Sequence, residues 1–165
     1  VQTCALPIST DEAIDVEGMF LSDNLQNPQK YMIAAGETPA STVIPAHGYL
    51  IVWCDKLEPL TQIHTSFKLS AEGGDVLLTA ADASWTDRLS YTQMKSDQTA
   101  GRYPDGTDDV ILMNVPTIAR ANIISSYAET IGQQPTGIND LAASASLSAL
   151  YLFCFNHAST SARSK

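Results

Sequence analysis

The chain has no basic excess, no long apolar run, no paired cysteines and no helical rhythm, and each absence narrows what it can be. Nine Lys and Arg stand against eighteen Asp and Glu, a net charge of −9. A surface that neutralises nucleic-acid phosphates or an anionic membrane is therefore not expected. No stretch of about twenty apolar residues occurs, which argues against a spanning helix. The three cysteines, Cys4, Cys54 and Cys154, are far apart, odd in number and without the spacing of a zinc site. Cys54 ends an apolar run and reads as a small buried hydrophobe.

Catalytic frames are missing as well. Ser66 and Ser90 lack the Gly-x-Ser-x-Gly setting of a nucleophile elbow. Gly73-Gly74 has none of the Lys and Ser/Thr partners that let a glycine loop hold phosphate. Carboxylates are plentiful, but no fixed frame opposes two of them as acid and base. The expectation is a protein that is not an enzyme, with no catalytic, cofactor-binding or metal-binding residue assigned.

What is present is enough for one domain of ordinary size: 165 residues, of which 44 % are hydrophobic. The charge is unevenly spread. Between Asp11 and Arg120 sixteen acids face seven bases, whereas from Ile123 to Lys165 two acids (Glu129, Asp140) balance two bases (Arg163, Lys165). Eight of the twelve aromatics fall between Phe20 and Tyr103. This divides the chain into an acidic, aromatic-bearing body, residues 9–122, and a neutral linker or tail, residues 123–165. Gln133–Gly137 is linker-like, Ala142–Ala149 is nearly all Ala, Ser and Leu, and Leu147–Phe155 reads as a strand, as one or two helical turns, or equally as a frame-shifted read. Residues 1–8 (Val-Gln-Thr-Cys-Ala-Leu-Pro-Ile) have no signal-peptide pattern. They resemble the conceptual translation of a sequencing-library adapter, and are expected to stand outside the domain as an artefact of assembly.

The body reads as about seven short strands divided by turn formers. They are Glu17–Ser22, Lys30–Ala34, Gly48–Cys54, an extended segment around Phe67 and Leu69, Asp75–Thr79, Ser84–Tyr91 and Val110–Met113. Gly48–Cys54, rich in aromatic and β-branched residues, suits a buried central strand. Pro39 and Pro45 bracket a loop, Leu57–Thr65 is another, and Gly73-Gly74 is a tight turn. Tyr103-Pro104-Asp105-Gly106 is a turn with Pro in its second position. In Ser84–Tyr91 the alternation is imperfect, because Asp87 shares a face with Trp85, Leu89 and Tyr91. A two-residue period without amphipathic helices predicts two stacked sheets over one core.

Four segments, in order, carry a family resemblance. They are Gly18–Asn24 with Asn27-Pro28, Ile44–Trp53, His64–Leu69 followed by Gly74-Asp75-Val76, and Gly101–Gly106 with Pro116-Thr117 and Asn122. Together they resemble the lamin tail domain over roughly residues 13–122. The resemblance implies an all-β, immunoglobulin-like β-sandwich with a poorly structured C-terminal tail. It also implies a non-catalytic accessory domain, structural or interaction-mediating, in a larger secreted or cell-surface bacterial protein. Partners are then protein or cell-surface components and a covalently linked upstream domain. Two departures stand out. The family's opening strand is absent where residues 1–8 sit, so the N-terminal strand is expected to be missing and residues 9–122 alone to be marginal. At the close, Ile118-Ala119-Arg120 replaces a Pro-Gly-Ala type of sequence.

The remaining alternatives are a C-terminal fragment of a nuclease, phosphatase or kinase-like enzyme, and a carbohydrate- or calcium-binding module. For the latter the candidate surface is Trp53, Trp85, Tyr91, Asp105, Asp108 and Asp109. Trp53, Trp85, Tyr49 and Tyr91 are read as core and sheet-face packing or as a stacking platform. The three aspartates are read as a solvated turn or as a faint calcium loop, without that motif's alternating ligands. His64 is expected to bond its own loop, His47 and Asp23-Asn24 to lie in turns, and Arg102 to form a surface ion pair.

Overall fold

The computed structural model describes residues 2–8, 10–36, 40–57, 61–105, 107, 109–118, 120–122, 124, 127–133 and 153–156. Those residues are all-β. The strands are β1 (Gln2–Pro7), β2 (Ile14–Asp15), β3 (Phe20–Ser22), β4 (Tyr31–Met32), β5 (Val43–Ile44), β6 (Tyr49–Trp53) and β7 (Ile63–His64). They continue with β8 (Gly73–Thr79), β9 (Thr86–Thr92), β10 (Thr99–Arg102), β11 (Asp109–Met113), β12 (Tyr127–Gln133) and β13 (Phe153–Asn156). A seven-stranded sheet runs β12-β11-β10-β13-β1-β6-β7, a four-stranded sheet runs β4-β3-β8-β9, and β2 pairs with β5. Pairing is antiparallel except between β6 and β7.

The period of two explains how the sheets close. Cys4, Leu6, Val52, Ala100, Val110 and Leu112 of the large sheet share one core with Leu21, Val76, Leu78, Leu89 and Tyr91 of the smaller one. Phe67 and Leu69 enter that core from outside the regular strands, held near Asp55 by a single Asp55–Lys68 bridge. The result is a two-sheet sandwich over a continuous apolar interior.

Several local expectations are corrected. Residues 1–8 do not stand apart: β1 is an interior strand, with Cys4 opposite Val52 of β6 and opposite Cys154 of β13. Residues 123–165 also contribute β12 and β13, and β13 falls at the end of the Leu147–Phe155 run. The two bracketed loops contain the two-residue strands β5 and β7, too short to leave a periodic signal. Gly73 and Gly74 open β8 instead of turning. At Gly73 φ is +110°, and a Cβ there would lie 2.9 Å from the Tyr91 carbonyl oxygen. Gly73→Ala is therefore expected to lower stability by about 1–3 kcal/mol, read from the denaturant midpoint.

The family-like segments have local reasons. Ser22, fully buried, donates from Oγ to the Asn27 carbonyl at 2.6 Å and accepts from the Asn24 amide at 3.0 Å, fixing the Ser-Asp-Asn loop. In Ile44–Gly48 the Gly48 amide donates to the Pro45 carbonyl at 2.8 Å. A Cβ on Gly48 would come within 2.6 Å of Pro45 Cγ, so this turn leaves no room for a side chain.

Candidate functional site

The densest polar cluster crosses the interior between the sheets. Asp87 lies on the inner face of β9, and Arg102 ends β10 in the opposite sheet. Both side chains are 0 % exposed and form a two-point pair: Nη2 to Oδ1 at 2.9 Å and Nη1 to Oδ2 at 3.3 Å. Nη2 also donates to the Arg88 carbonyl at 2.9 Å, while Nε has no partner. The Asp87 break in alternation is thus a buried acid answered by a base from the other sheet, and the expected surface pair of Arg102 is corrected to a buried one. Such a charge is tolerable only when paired and hydrogen-bonded.

The closing segment is tied to the same point. Asn122 Nδ2 donates to the Arg102 carbonyl at 2.7 Å, and its Oδ1 accepts from the Thr117 hydroxyl at 2.7 Å. The Asn122 amide donates to Asp105 Oδ1 at 3.3 Å. Arg102, Asp105, Thr117 and Asn122 are thus one connected unit. The adjoining turn differs from expectation: the Thr107 amide donates to the Pro104 carbonyl at 3.1 Å, which puts Pro104 first in the turn, not second.

A second polar group lies at the other edge of the large sheet. His64 Nδ1 is 2.8 Å from Asp55 Oδ1, with side-chain exposures of 15 % and 7 %. Asp55 Oδ1 also accepts from the Leu57 amide at 3.1 Å. Trp53 stacks on His64 with ring centroids 6.2 Å apart. His64 bonds to Asp55 on the neighbouring segment, not to its own loop. His47 sits in its turn with φ at 53° and meets Asp11 at 2.8 Å, both exposed.

The candidate interaction residues scatter. Trp85 and Tyr91 are each 5 % exposed and belong to the core, so they offer no stacking face to solvent. The Tyr91 hydroxyl donates to the Ser70 carbonyl at 3.0 Å. Trp53 is half-buried on β6, Asp105 faces Asn122, Asp109 begins β11, and Asp108 lies outside the described residues. Among the described residues no three His, Cys, Asp or Glu side chains gather as a metal site would require. A groove of about 530 Å³ runs past Gln93, Lys95, Gln98, Asn114 and Tyr127; Lys95 is the charged group among the described residues that line it.

Burial raises the Asp105 carboxyl above its usual range, against the Asn122 amide, which lowers it. Burial, and then the Asp105 charge, push the Tyr49 phenol above 10.0. An acid with a raised folded-state value stabilises the fold when protonated, and that contribution is lost as pH rises through the folded value. Asp105→Asn is therefore expected to raise the melting temperature at pH 7, with the gain shrinking as pH falls through the raised folded-state value and gone below the unfolded value of about 4. Ultraviolet titration of the same variant should show the Tyr49 phenol ionising at lower pH than in the parent chain.

Compared with protein-family models, curated proteins and solved structures, the chain matches none.

Proposed function

We propose that the chain is a lamin-tail-like accessory domain, structural or interaction-mediating and not catalytic, belonging to a larger secreted or cell-surface bacterial protein. The observation that carries this reading is what the polar groups in and beside the interior do. Arg102 pairs with Asp87 across the sandwich, Asn122 ties Thr117, Asp105 and the Arg102 carbonyl together, and Ser22 bonds within its own loop. The segments that resemble the family are thus committed to joining sheets and fixing loops. A scaffold needs that use of polar residues; a reaction centre needs groups left open to a substrate.

The test is to assay the full chain for turnover of phosphodiester, phosphomonoester and nucleoside triphosphate substrates, and for binding to purified bacterial cell walls and surface-protein fractions. Saturable binding without turnover is expected. Turnover that His64→Ala abolishes would replace this reading with the enzyme-fragment one. The half-buried Trp53 stacked on His64 keeps one binding alternative concrete. A thermal shift with a glycan that Trp53→Ala removes would assign a carbohydrate-binding module.

A further inference from the structure

We propose that Cys4 and Cys54 are an oxidisable pair whose disulfide staples β1 to the end of β6 within the native sandwich. The two sulfurs are 3.4 Å apart, both buried, and fifty residues apart in sequence. In the β1–β6 ladder Cys4 stands opposite Val52, so Cys54 is its diagonal neighbour on the same face. Twisted antiparallel strands bring such diagonals close. The sulfurs are already side by side on one face of the sheet, and closing the bond needs a movement of little more than an ångström, to about 2.05 Å.

The chemistry balances with a low-molecular-weight disulfide as oxidant. One cysteine thiolate attacks an oxidant sulfur and expels one small thiolate. The second cysteine thiolate then attacks the mixed disulfide and expels the other. The protein loses two protons and two electrons, and the oxidant becomes two thiols. In the folded chain the hydrogen bond from Cys4, followed by burial, holds the Cys54 thiol well above its ordinary value. With little thiolate and no access, the folded dithiol is slow to react. The bond therefore forms while the chain folds. Cys154 is the competing partner, because the β1–β13 register places it across from Cys4.

The experiment refolds the full chain with oxidised glutathione, and compares it with chain refolded under reducing conditions. Readouts are intact mass, thiol titre in denaturant, a non-reducing peptide map and the melting temperature. The expected result is a mass loss of two hydrogen atoms, a fall from three thiols to one, and a linked peptide joining Cys4 to Cys54. The oxidised form should melt roughly 5–15 °C higher, the range expected when a loop of about fifty residues is closed in a domain of this size. Cys154→Ser should give the same linkage, and Cys54→Ser should not. Three remaining thiols, a Cys4–Cys154 linkage, or an unchanged or lower melting temperature would overturn the proposal.

Discussion

Removing residues 1–8 is expected to abolish cooperative folding. β1 is an interior strand of the large sheet, and its loss exposes the ladder edges of both β6 and β13. It also removes Cys4, Ala5, Leu6 and Ile8, all buried. Burying a Leu or Ile side chain contributes about 1.5–3 kcal/mol. Added to the lost backbone pairing, that approaches the whole stability of a typical domain, about 5–15 kcal/mol. Two open edges invite pairing between chains. The shortened chain should show no sharp thermal transition and should elute from a sizing column as large species. If it melts at the same temperature as the full chain, β1 contributes nothing, and the described topology is wrong at its centre.

The second large effect concerns the inter-sheet pair. Asp87→Ala leaves the Arg102 guanidinium charged, buried and without its carboxylate. Breaking one side of such a pair typically costs about 3–5 kcal/mol. For a chain of this length the melting temperature should fall by on the order of 10 °C. Replacing both partners, as in Asp87→Leu with Arg102→Met, should recover most of that loss, because no uncompensated charge remains. Asp87 and Arg102 would then show strong coupling in a double-mutant cycle. If Asp87→Ala melts within a degree or two of the parent chain, the pair is solvated and does not bridge the sheets.

The sequence carried the all-β class because Gly48–Cys54, Asp75–Thr79 and Val110–Met113 are compact apolar runs between turn formers, and each lies within or overlaps a strand of the structure. It did not carry β5 and β7, since two residues make no period. Nor did it carry β1. Residues 1–8 resemble an adapter translation and so are set outside the domain, and with Ala5 and Thr3 as buried as Cys4 and Leu6 the segment has no solvated face to mark it as a strand. The site divides in the same way. Asp87 was visible as an acid on an apolar face. Its partner was not, because no local pattern specifies which of seven bases in the body crosses from the other sheet. The Cys4–Cys54 approach was hidden for the same reason: it depends on which strand neighbours β6, a non-local fact.

Amide hydrogen exchange on the full chain, resolved by residue, tests the sandwich most directly. An interior strand bonds through nearly every amide, alternately to its two neighbours. Cys4, Ala5 and Leu6 of β1 should therefore exchange as slowly as Leu78 of β8 and Leu89 of β9, all through global unfolding. Exchange of residues 3–6 at unprotected rates, beside a slow β8–β9 pair, would contradict the fold described for the larger sheet.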